Sequence, residues 1–225
     1  MGRWWGCDVL RSGRLLALDE DAVQLAAAGL VRLSVQEWLD GAAGAAAWRI
    51  RAASFAHAWL AFGELSAPGL RVPAEPVLRS LVHRAAELLL QVRGGDGPAA
   101  LEWLGVRSAE VGEQAHRAHV AHPAESTALT LVWHGVQALT AEGGCSHGRR
   151  IDDRCEAYIR ERHRRQDTLA LMLACARLAA AALVELSDQD PGQAGERLEE
   201  HAARSMPLDG PAPLWVPGRP RQPAC

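Results

Sequence analysis

The sequence contains no lysine and no asparagine, and all 24 of its basic residues are arginine. Aromatic residues other than tryptophan are scarce, with two Phe and one Tyr in 225 residues. This skew matches GC-rich codon usage, so the arginine content is not itself a phosphate-binding signal. Without lysine no Gly-Lys-Ser/Thr phosphate loop exists, and Gly94-Gly95-Asp96-Gly97-Pro98 reads as a turn. Gly-x-Ser-x-Gly and His-Glu-x-x-His are absent too, which removes the nucleophile elbow and the zinc-protease helix. The five cysteines are odd in number and widely spaced, without a Cys-x-x-Cys pair. That pattern favours reduced thiols in a cytoplasmic protein over a disulfide framework, and Cys155 and Cys175, on apolar faces, read as small core residues. The first residues, MGRWWGCDVLRSGRLLAL, lack the continuous apolar run of a secretory signal. A formal net charge of -3 supplies no global field toward nucleic acid or acidic membrane.

What is present is helix-forming. The longest apolar stretch is Leu169–Leu186, LALMLACARLAAAALVEL, in which only Arg177 and Glu185 carry charge. It has nearly the length of a membrane span, about 20 residues. A central Arg costs roughly 2.5–3.5 kcal/mol on insertion. The alanines offset little of that, so the stretch is expected to be the buried centre of a water-soluble bundle.

The rest of the chain reads as amphipathic segments around it. Asp19 is placed to cap a helix running to about Val31, and Ser34-Val35-Gln36-Glu37 has capping-box spacing for a second. Trp48, Ala52, Phe55, Trp59 and Phe62 form one apolar stripe, with His57 off it. The clearest helix is predicted over 74–92, with Leu78, Leu81, Ala85, Leu88 and Val92 inward and Arg79, His83, Glu87 and Gln91 outward. Further helices are expected over 99–121 and 125–142, the latter with Leu129, Val132, Val136 and Leu139 inward and Thr130, His134 and Gln137 outward. Asp153 with Glu156 has capping spacing for a run that enters 169–186 either as one kinked rod or as two pieces. A last acidic helix is expected over 193–204. Trp103-Leu-Gly-Val-Arg107 resembles Trp133-His-Gly-Val-Gln137, a hint of an internal repeat with too few copies for an array. The predicted fold is an all-α single bundle of about six to eight helices over 18–205. An irregular arm over 1–17 and a flexible Pro-rich tail over 206–225 flank it.

Candidate sites are few. Glu113-x-x-His116-x-x-His119-x-x-His122 winds along one helix face and offers imidazoles and a carboxylate to Zn or non-haem Fe. The competing reading is hydrated histidines at a helix C-terminus, where the dipole favours positive charge. His83 with Glu87 reads as a surface ion pair. Cys145-Ser-His147 with Cys155 lacks a fourth zinc ligand. In the tail, Trp215, Pro217 and Pro220 fit a partner-binding P-x-x-P segment. The Arg-rich run 149–165 is interrupted by Asp152, Asp153, Glu156 and Glu161, so it reads as a solvated, salt-bridged surface. These features favour a non-enzymatic protein-interaction or regulatory module. A metal-binding helical protein, with or without catalysis, is the alternative, and a DNA-binding regulator the third reading.

Overall fold

Apolar residues at steps of three and four give each segment one face to bury, and burying those faces together builds the molecule. The computed structural model describes residues 20–41, 47, 49–56, 74–118, 123–140, 145–162 and 165–204. Among them the chain is all-α. Seven helices follow in order: α1 Glu20–Leu39, α2 Ala74–Val92, α3 Gly97–Ala118, α4 Pro123–Thr140, α5 Cys145–Arg162, α6 Arg165–Leu186 and α7 Pro191–Arg204. Residues 49–56 add a further helical stretch. The arm 1–17, the tail 206–225 and Trp48, Trp59 and Phe62 of the aromatic stripe lie outside the described residues.

The apolar helix α6 is the hub, packing most extensively on α2 and also against α1, α4, α5 and α7. Leu171, Met172, Cys175, Ala176, Ala179 and Leu183 are fully buried in it. Gln166–Leu186 is long and apolar enough to cross a membrane by length and composition, and half of it is buried within the protein. Two of its charges have partners on other elements: Arg177 reaches Glu37 at 3.4 Å and Glu185 takes Arg93 at 2.7 Å. The run 151–187 is divided between two helices, α5 and α6, and Tyr158 ties them by donating from its hydroxyl to the Asp167 carbonyl at 3.3 Å.

Four predicted boundaries moved. Ser34 caps nothing: α1 runs through it, and its hydroxyl donates to the Leu30 carbonyl at 3.0 Å. The spacing of a capping box is also that of mid-helix back-bonding, and burial of Val31 and Val35 decides between them. Asp153 likewise lies inside α5, exposed, because that helix begins at Cys145. By contrast, α3 and α7 start earlier than periodicity suggests. Asp96 Oδ1 accepts from the Ala99 amide at 3.1 Å, and Asp190 Oδ1 from the Gln193 amide at 2.8 Å. In each case an Asp caps a helix carrying Pro in its first turn, where no amide is missed. The apparent repeat is not structural, since Val106 is exposed while Val136 is fully buried.

Gly135 marks a close approach of α4 to α2. A Cβ there would sit 3.1 Å from the Ala86 Cβ and 3.2 Å from the Val82 Cγ1. The Leu88 to Asp96 junction turns through Gly94 and Gly95, both at positive φ (63° and 86°), where side chains are disfavoured. The Gly95 amide there donates to the Leu90 carbonyl at 2.7 Å, closing the end of α2.

Candidate functional site

Helix α2 carries a polar row along the edge of its apolar face, Ser80, Arg84 and Glu87, and α1 brings Gln24 against it. Arg84 is buried although it is an arginine. Its Nη2 donates to Gln24 Oε1 at 2.8 Å and to the Gln24 carbonyl at 3.3 Å. The Ser80 hydroxyl donates to the same Gln24 Oε1 at 2.8 Å. Burial lowers the Arg84 pKa to about 10 against the opposing charge of Glu87, so the guanidinium stays charged at neutral pH.

This network forms the floor of a cleft of about 190 Å³ between α1, α2, α6 and α7. His83, Glu87, Gln91, Arg197 and Glu200 supply its polar rim, and Leu88, Leu183 and Leu186 its apolar wall. His83 Nε2 lies 3.1 Å from Glu87 Oε1, the surface ion pair predicted from their spacing. The cleft is smaller than the roughly 300–1,000 Å³ of most small-molecule sites. Its fixed groups are a buried cation among two carboxylates and a second arginine. They suit holding a short charged group rather than enclosing a substrate for chemistry.

The residues singled out from sequence fall elsewhere. Glu113 is exposed on α3, and His116 belongs to the last turns of that helix with its side chain outside the described part. His119 and His122 lie outside the described residues, as do Trp215, Pro217 and Pro220. Among the described residues no group of three His, Cys, Asp or Glu side chains converges as a metal site. Cys155 and Cys175 are buried core thiols, as expected; burial raises both pKa values, that of Cys155 to about 12.

One expectation about His134 is overturned. It was placed on the outer face of its helix with Thr130 and Gln137, but it is only 5% exposed. The α4 periodicity leaves that face open to solvent, and α5 docks on it. The ring stands edge-on to Trp133 at 5.3 Å and 6.0 Å from the His147 ring. The buried Arg84 was missed altogether. The available signal was the i, i+4 pair Ser80 and Arg84 beside Val77 and Leu81.

Comparison with protein families, curated proteins and solved structures finds no match to this chain. Fold and site together define, among the described residues, an all-α bundle with a small charged cleft between α1, α2, α6 and α7.

Proposed function

We propose that this chain is a soluble, cytoplasmic, non-enzymatic module that acts by binding a protein partner. The observation that carries the reading is the surface where α1, residues 49–56 and α6 meet. There Glu37 takes both Arg49 Nε, at 2.5 Å, and Arg177 Nη2, at 3.4 Å. Two arginines share one carboxylate there, so each guanidinium keeps donors to offer. The residue next to each end of the Glu37–Arg49 pair is a large exposed apolar side chain: Trp38 at 38% and Ile50 at 67%. Tryptophan, arginine and an aliphatic anchor together are the composition of interface hot spots. Charge complementarity selects a protein segment that carries carboxylates around an apolar anchor.

A photo-crosslinking residue at position 50, introduced into the full chain in its own cell, tests this. The expected result is one recurrent protein adduct that disappears when Arg49 and Arg177 are both changed to Glu. A crosslinker at the exposed Val106 on α3 serves as the control surface. Adducts that are the same from positions 50 and 106, or that survive the double charge reversal, overturn the proposal.

A further inference from the structure

The α4–α5 interface holds a second polar cluster, built from other residues than the Arg84 cleft. Three of its side-chain atoms, His134 Nδ1, His147 Nδ1 and Gln137 Oε1, are shut away from solvent without a hydrogen bond of ordinary geometry, although Gln137 lies near enough to His134 to favour its protonated form. Buried polar atoms of folded proteins are satisfied in the great majority of cases, so the unmatched His147 nitrogen beside this strained pair points to a missing partner. His134 and Gln137 stand three residues apart on α4, and His147, Arg150 and Arg154 share one stripe of α5. The two arginines lie close enough to His134 for their charge to disfavour its protonated form. Both are exposed, and among the described residues neither has a carboxylate partner.

We propose that this cluster is a binding site for a small oxyanion, a phosphate or carboxylate group, held by His134, Gln137, His147, Arg150 and Arg154. Imidazoles and guanidinium groups donate charge-assisted hydrogen bonds to such a group, and the Gln137 amide, turned over, donates a further one. His147 sits in the first turn of α5, the positive end of that helix, which adds to the attraction. A water molecule would satisfy the buried nitrogens and leave the arginines unused. A metal cation would sit beside two like charges with no acid to balance it. Burial is the first cause that holds His134 below its ordinary value, followed by Arg154, and a bound anion opposes both. The site is independent of the Trp38 surface and stands whether or not that surface binds protein.

Calorimetry on the untagged full chain, with inorganic phosphate and separately with acetate at matched ionic strength, tests the assignment. One equivalent of anion is expected to bind and to shift the ring resonances of His134 and His147. Arg150→Gln with Arg154→Gln, both on exposed positions, should weaken binding by about tenfold or more at unchanged melting temperature. Preference for phosphate over acetate assigns a phosphoryl group, and the reverse a carboxylate. No heat and no imidazole shift with either anion at millimolar concentration overturns the proposal, as does binding that the double variant leaves intact. Stoichiometric zinc lost on His147→Gln would overturn it in favour of a metal.

Discussion

Removing Gln24 should cost more than removing the buried arginine it serves. Gln24→Leu deletes the acceptor of both Arg84 Nη2 and the Ser80 hydroxyl, each at 2.8 Å. The Gln24 carbonyl still accepts from Arg84 Nη2 at 3.3 Å, so what is lost is the Ser80 partner and the arginine's shorter bond; at about 1–3 kcal/mol for a buried donor left unsatisfied, roughly 2–4 kcal/mol is expected. Arg84→Met instead removes the charge along with its need for a partner and keeps an unbranched apolar stem of similar reach. Ser80 still has its acceptor, and Glu87, half exposed at 48%, returns to water at little cost. Replacing a buried charge by an apolar group of similar volume is often near neutral, so about 1 kcal/mol or less is expected. Chemical denaturation followed by far-ultraviolet circular dichroism reads both changes. In a protein of this size each kcal/mol moves the melting temperature by about 2–4 °C, so Gln24→Leu should fall by roughly 4–16 °C. The combined variant should recover most of that fall. If Arg84→Met proves as damaging as Gln24→Leu, or the combination is additive, the network is not what makes this position costly and the reasoning is refuted.

Four further outcomes rest on the same structure. Gly105 and Gly112 have open space where a Cβ would go, so Gly→Ala at each should stabilise α3 by about 0.5–1 kcal/mol in urea titration. Gly135→Ala should destabilise despite the same helical gain, because the new methyl presses on Ala86 and Val82 and overpacking costs about 1–3 kcal/mol. Of the five thiols, Cys155 and Cys175 should resist alkylation in the native protein and react only on unfolding; burial and raised pKa withhold the thiolate, and site-resolved mass spectrometry reads it. His134 has a folded pKa below the ordinary 6.5, so its neutral form is the one the fold accepts. Its contribution should be complete above pH 6.5 and be lost as pH falls from there toward the lower folded value. In chloride buffers His134→Gln should therefore flatten the acid side of the stability profile, and an unchanged slope would show that protonation there is not felt.

The sequence by itself determined that the chain is helical, that α2 spans 74–92 and that 169–186 is the hub. Those features follow from local periodicity and from an apolar run too long to leave in water. It also settled that Cys155 and Cys175 are core residues, since they share stripes with buried neighbours. Tertiary structure alone decided where helix faces are covered. Ser34 has one local pattern that serves a cap or a helix interior equally, and burial of Val31 and Val35 chose the interior. His134 looks outward from α4 on any helical wheel, and only the docking of α5 brings it against His147 and near Arg150 and Arg154. Arg84 was invisible for the same reason: a charged side chain is buried only when a partner on another helix, here Gln24, satisfies it. Periodicity reports which face a helix offers, whereas the identity of what lies across that face is non-local, and both polar clusters are made across such faces.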